Sequence, residues 1–250
     1  TSRSISADRS GGPAGWWEFD GSTTAGQSFL ALDSSGSDHH MFGISGDGRS
    51  LQDNHAVFTS DYLRAPAAVD TTQSYSVSAW VKPTTLTGFQ TAVGQGGTAH
   101  GAFFLQYSRS FGMWTFIAPS SDTAVPSSYA AATSGNALTP NTWVHLVGVF
   151  DVNTKTMSIY VNNAKGQDGS NPTPWLGVGG IGIGGVSRGS SGKDQFDGSI
   201  DNVQLYQRAL SADEVAKLWG EGNGRTTRVT TTTDALTSRF TVDDRGLTTT

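Results

Sequence analysis

From Phe196 to Trp219 the chain reads FDGSIDNVQLYQRALSADEVAKLW, and no other stretch restricts the fold as tightly. It predicts a β-strand carrying one acidic residue, Asp201, then a tight turn, then a short helix. Ser211 is the N-cap, and Glu214 three residues on completes a capping box. Leu210, just before the cap, is placed to pack on Val215 as a hydrophobic staple. Leu218 and Trp219 continue the apolar side, and Gly220 is read as the stop.

The other patterned segments have a period of two. In Tyr75 to Val81, the residues Tyr75, Val77, Ala79 and Val81 face one way, while Ser76, Ser78 and Trp80 face the other. Phe103–Tyr107 and Met113–Ile117 flank the turn SRSFG as a hairpin. WVHLVGVF (143–150) is apolar on both faces apart from His145, as a covered central strand is, and His145 reads as a hydrogen-bonded interior histidine. DVNTKT and NNAKG mark successive hairpin turns around MSIYV (157–161). Trp16–Phe19, Ala56–Leu63 and the glycine-rich Gly177–Val186 are further strand candidates. About ten strands and one helix make an all-β sandwich rather than an α/β enzyme.

Composition agrees. The 250 residues include 32 Gly and 8 Pro, which suits many turns between short strands. A domain of this size buries roughly 70–75% of its unfolded surface, so a sizeable core is available. Only 15% of residues are charged and the formal charge is −5, with no Lys/Arg cluster. That leaves a nucleic-acid partner without an electrostatic footing. No cysteine is present, so a disulfide framework, a thiolate zinc site and a cysteine nucleophile are excluded. No apolar run reaches the length of a membrane span. The start, TSRSISADRS, reads as a cut from a longer chain. After Gly220 the sequence turns Thr-rich and poor in large apolar residues, which reads as a linker or as a hairpin, TSRFTVDDRGLTTT, of a following module.

Six motifs in order, WWEFDG, ALDSSG, SYSVSAWVKP, NTWVHLVGVFD, MSIYVNN and FDGSIDNVQLYQRALSADEV, resemble the laminin-G-like jelly-roll domains of the concanavalin A-like lectin/glucanase superfamily, as found in exported actinobacterial proteins. The resemblance covers residues 14–220, leaving 221–250 as linker or following module. The tail SRFTVDDRGLTTT is similar to the YD repeats of RHS-type cell-surface proteins, with Val242 where the repeat has Tyr. The resemblance implies a concanavalin A-like jelly-roll sandwich of two antiparallel sheets with one short C-terminal helix. It also implies a calcium ion clipping the N-terminal loop to the last strand, with Asp33 and Asp201 as its matching ligands and Asp20 and Asp38 as weaker ones. Gly/Ser-loop carbonyls and one or two carboxylates form such a shell. The alternative is that Asp33 caps a turn and Asp201 pairs with a cation such as Arg208.

Hydrolases that resemble this sandwich set paired carboxylates on one strand face, about 5–5.5 Å apart when the mechanism is retaining. No E-x-D-x-E run exists here, and Glu18 and Asp20 in WEFDG are the nearest approach. A serine elbow is missing. His39 and His40, adjacent in sequence, point opposite ways on a strand. GSSGKD has Asp194 where a phosphate loop has Ser/Thr. The expectation is therefore a non-catalytic, secreted or cell-surface module that binds carbohydrate or a surface protein, within a larger chain. The alternative is a structural spacer. A glycan-active enzyme requires Glu18 to share a cleft with a second carboxylate. The residues expected to line a binding surface are Trp80, Gln106, Tyr107, Arg109, Trp114 and Trp175. Trp80 is equally suited to a second core layer, Trp114 and Trp175 are expected to be exposed, and Trp143 and Trp219 are assigned to the core.

Overall fold

The structure, a computed structural model, describes residues 11–21, 23–135, 138–186 and 194–222, and the backbone of 241–242 and 248–249. Its first strands are β1 (Gly15–Trp17), β2 (Ser28–Ala31), β3 (Met41–Ile44), β4 (Arg49–Gln52), β5 (His55–Phe58) and β6 (Leu63–Ala65). Longer strands follow: β7 (Tyr75–Pro83), β8 (Phe89–Gly96), β9 (Gly101–Ser108), β10 (Met113–Pro119), β11 (Tyr129–Thr133), β12 (Val144–Asp151) and β13 (Thr156–Val161). Then come β14 (Ala164–Lys165), β15 (Gly169–Ser170), β16 (Ile181–Ile183), β17 (Gly198–Tyr206), helix α1 (Ala212–Gly222), and the short pair β18 (Thr241–Val242) and β19 (Thr248–Thr249).

Two antiparallel sheets face each other. One has nine strands, in the order β14-β13-β12-β7-β17-β5-β4, with β1 beside β17 and β15 beside β13. The other has six, in the order β11-β10-β9-β8-β16-β6. The chain switches sheets several times, so sequence neighbours are often not sheet neighbours. What was read as one strand at Ala56–Leu63 is two, β5 and β6, one in each sheet. In Gly177–Val186 only Ile181–Ile183 pairs as strand.

The local chemistry explains the hairpins. Asp53–Asn54 joins β4 to β5 and Asn162–Asn163 joins β13 to β14, with both residues of each pair at positive φ. Type I′ turns need that conformation, and Asn and Asp tolerate it best among non-glycine residues. Between the sheets, Val77, Val81, Leu105, Phe116, Leu146, Phe150, Ile200 and Leu205 form the core with many more apolar side chains.

A second, smaller core lies on the outer face of the nine-stranded sheet. Val147 and Val149 of β12 and Tyr206 of β17 pack there against Leu210 and Val215. The capping box forms as expected: the Ser211 N–H donates to Glu214 (2.9 Å) and the Glu214 N–H to Ser211 Oγ (3.3 Å). The helix runs past Gly220 to Gly222, and that last glycine sits on the Trp80 indole, where a Cβ would lie 2.3 Å from Nε1. β18 and β19 form a hairpin within the Thr-rich tail. The rest of the tail, its likeness to a repeat, the first ten residues and most of GSSGKD lie outside the described residues.

Candidate ligand-binding groove

The outward face of the six-stranded sheet carries a groove of about 290 Å³. β9 builds its floor by alternation. Phe103, Leu105 and Tyr107 enter the core, while Phe104, Gln106 and Ser108 face outward into the groove. Phe89, Phe111, Ile117 and Tyr129 add apolar walls, and His100 and Asp194 complete the lining. Two of these rings are presented to solvent: Phe111 and Tyr129 are each 48% exposed.

The polar groups are held in place. Gln106 is buried, and its Oε1 accepts a hydrogen bond from Thr91 Oγ1 at 3.0 Å. Asp122 accepts the backbone N–H groups of Thr98, Ala99 and His100 at 2.7–2.8 Å, which fixes the turn before β9. Burial alone raises the Asp122 pKa, but these N–H donors more than reverse it, so the carboxyl lies below its usual value. The turn sets the buried His100 ring edge-on to Phe104 (5.5 Å) and to Tyr129 (6.0 Å). Among the described residues, the buried Ser108 Oγ has no hydrogen-bond partner. A buried hydroxyl in that state costs roughly 1–3 kcal/mol unless an incoming group completes it.

Of the residues expected to bind, Gln106 lies on the groove floor, and Arg109 stacks over the Phe89 ring at 5.2 Å. Four are placed elsewhere. Tyr107 points into the core, edge-on to Trp114 at 6.2 Å. Trp114, expected to be exposed, is 1% exposed in the core, because alternation in β10 turns it inward with Phe116 and Ala118. Trp80 is buried beneath α1 with Trp219 stacked upon it. Trp175 is half-buried and pins its loop to β10 by donating to the Pro119 carbonyl (2.8 Å). Trp143, assigned to the core, is half-buried beside His55 and Lys82. The residues missed were Phe104, Phe111 and Tyr129. Phe104 was legible, since it shares the Gln106 face two residues away.

Asp33 and Asp201 do separate work. Asp33 Oδ1 accepts the N–H groups of Trp16 and Ser35, both at 2.9 Å, and Oδ2 accepts that of His39 at 3.0 Å. Burial raises its pKa, and the Ser35 side chain and these three amides lower it further than burial lifts it. Three of its roughly four lone-pair positions are thereby taken. Asp201 lies in a buried cross-strand row, opposite Trp80 on β7, which is in turn opposite His145 on β12. Among the described residues, no group of three or more His, Asp or Glu gathers at either position. A calcium ion seeks six to eight oxygens, and Asp33 offers a carboxylate already occupied by amides. The N-terminal segment is tied to the last strand by β1–β17 pairing and by Trp16 Nε1, which donates to Asn202 Oδ1 at 2.8 Å.

A larger cleft, about 600 Å³, lies on the outer face of the nine-stranded sheet beside α1. Glu18 does share it with other carboxylates, namely Asp20, Glu214 and Glu221. Glu214 is committed, however. Arg208 and the Ser211 N–H hold its pKa down to about 2, so it cannot supply a proton at ordinary pH.

Residues 58–216 match the model of a family described as the concanavalin A-like lectin/glucanases superfamily. A search of curated proteins finds no match in sequence. Among solved structures, a Trypanosoma rangeli sialidase is similar at 17% identity and a TM-score of 0.58, over 82% of this chain and 32% of that one. The chain thus spans about a third of the sialidase's length. Domain 4 of AbnA, a GH43 extracellular arabinanase from Geobacillus stearothermophilus solved with arabinotriose, is similar at 20% identity and a TM-score of 0.54, over 83% of this chain and 98% of that domain. The ligand-binding domain of botulinum neurotoxin serotype D, in complex with N-acetylneuraminic acid, gives 13% identity and a TM-score of 0.57, over 83% and 50%. At these identities the likeness is one of fold.

Proposed function

The chain belongs to the concanavalin A-like lectin/glucanase superfamily, and on that premise we propose that it is a non-catalytic module that binds carbohydrate along the outer face of its six-stranded sheet. The carrying observation is the groove that sets two solvent-facing rings, Phe111 and Tyr129, beside the partnerless Ser108 hydroxyl and the Gln106 amide. Ring faces stack on the C–H edges of a pyranose, and sugar hydroxyls complete buried polar groups. The volume is near the lower end of small-ligand pockets, about 300–1,000 Å³, which suits one or two sugar rings. The arabinotriose and N-acetylneuraminic acid named with two structural neighbours support the ligand class.

The lining of the groove supports a non-catalytic role there. Among the described residues Asp194 is the one carboxylate there, whereas glycoside cleavage uses two. In this reading the module functions outside the cell as part of a larger chain, and needs no ion to fold. Among the described residues no helix is long and apolar enough to cross a membrane. A spacer role requires a smooth polar face, which the exposed rings do not provide.

Glycan-array binding followed by titration calorimetry tests the proposal, using the wild type and the double variant Phe111→Ala/Tyr129→Ala. Removing two ring anchors is expected to weaken binding about tenfold or more without lowering the melting temperature. Array signals that the double variant leaves unchanged, or no signal from the wild type, would overturn it.

A further inference from the structure

The cleft beside α1 has a different chemistry from the groove, and lies on the opposite outer face of the sandwich. Its floor is a hydrogen-bonded ladder along β17. The Tyr206 hydroxyl donates to Gln204 Oε1, Gln204 Nε2 donates to Asn202 Oδ1 (3.0 Å), and Trp16 Nε1 donates to the same oxygen (2.8 Å). The ladder leaves the Asn202 amide N–H groups for a ligand and braces the half-buried Trp16 ring at the cleft wall. Trp16 on β1 and Glu18 just past its end are two apart and both half-buried, while Trp17 between them is fully buried in the core.

Among the described residues the cleft holds more acidic than basic side chains. Glu18, Asp20, Glu214 and Glu221 line the cleft against Arg208 and Lys217. Arg208 is spent, because it bonds Glu214 and the Gly11 carbonyl. Lys217 stands 3.8 Å from Glu221, with its side chain 76% exposed. Glu18 uses one oxygen to accept from Ser34 Oγ (2.8 Å), which leaves the other for a ligand.

We propose that this cleft is a second binding site, and that it takes a saccharide bearing a free amine. Amide donors and the Trp16 ring meet the hydroxyls and apolar face of the sugar, and Glu18 and Glu221 meet its ammonium. Carboxylates beside an aromatic face favour such a cation over a neutral acetamide. The inference stands independently of the groove, and a module with both sites holds one glycan on each side.

Calorimetry with a glucosamine oligomer, and with its N-acetylated counterpart, tests the site at about pH 6, below the usual amine range. The proteins are the wild type, Glu18→Gln, Glu221→Gln and Phe111→Ala/Tyr129→Ala. Glu18→Gln is isosteric and keeps the acceptor for Ser34, and Glu221 is exposed, so both variants are expected to melt as the wild type does. Glucosamine binding should survive the groove variant and fall about tenfold in Glu18→Gln, less in Glu221→Gln, in line with loss of a charge-assisted bond. The acetylated oligomer should lose the component sensitive to Glu18. Equal affinity of Glu18→Gln and wild type for the amine would overturn the site, as would loss of amine binding in the groove variant alone.

Discussion

Trp219 stacks on Trp80, with ring centroids 5.3 Å apart and planes within 16° of each other. One ring comes from the helix and the other from the centre of the nine-stranded sheet, so this contact seals the outer core. His145, whose Nε2 is 2.9 Å from Ser78 Oγ, lies in the same stack, 5.1 Å from the Trp80 ring. Trp219→Ala is expected to cost about 2–3 kcal/mol, less than a fully buried Trp because the ring is half-buried. It should open Trp80 to a fluorescence quencher and leave glycan binding intact. A variant that melts with the wild type would show that the stack contributes nothing.

The Asp33 clasp makes a separate prediction. Asp33→Ala leaves the Trp16, Ser35 and His39 amides without their acceptor, and should destabilise the fold by about 2–4 kcal/mol. Asp33→Asn keeps one acceptor oxygen and should lose less. Because amides occupy the carboxylate, chelation is expected to leave the thermal midpoint where it is. A fall of several degrees with chelator, restored by calcium, would show that an ion is bound and holds the fold.

These two sites show what the sequence discloses and what it withholds. The capping box, the strands around Tyr75–Val81 and the paired asparagines at 162–163 are local signals, and each appears where its chemistry requires. Alternation also separates the two faces of a strand. It does not say which face is the core when both are covered, and every residue of β9 is buried. Tyr107 and Trp114 were therefore assigned to the binding face although they belong to the core, and Phe104 was passed over. Phe111 sits in a turn with no period to read. The Trp80–Trp219 and Asp33–Trp16 contacts join residues distant in sequence, and depend on how the chain switches sheets. That information is carried by the topology rather than by any single segment.

His145 gives a pH dependence. Burial drives its pKa from the usual 6.5 down to about 3. Between those values the unfolded chain holds the extra proton. Stability is therefore complete above about 6.5 and falls as the pH drops toward 3, with a slope approaching about 1.4 kcal/mol per pH unit from this group. Urea melts at about pH 6.5 and 5 should differ by about 1–2 kcal/mol, in a range above most carboxylate titration. His145→Gln should flatten that difference. An unchanged slope in the variant would mean that the ring titrates equally in both states.

Gly198 shows why a glycine opens the strand in FDGSID. Its φ is +141°, and a Cβ there would lie 2.2 Å from the Lys82 carbonyl oxygen and 2.9 Å from Pro83 Cα, both backbone atoms of the neighbouring strand β7. Backbone cannot move aside as a side chain can, and Gly198 pairs with Pro83 and Phe58 on either side. Gly198→Ala therefore combines a disfavoured φ with a clash at the junction of three strands, and should cost about 3 kcal/mol or more. Gly112, at φ +64° in the turn between β9 and β10, has nothing within 4 Å of the added carbon, so Gly112→Ala should cost about 1 kcal/mol. Chemical denaturation of the two variants side by side measures the difference. Equal losses would mean that backbone conformation alone matters at both positions, and that β7 does not press on Gly198 as closely as the register requires.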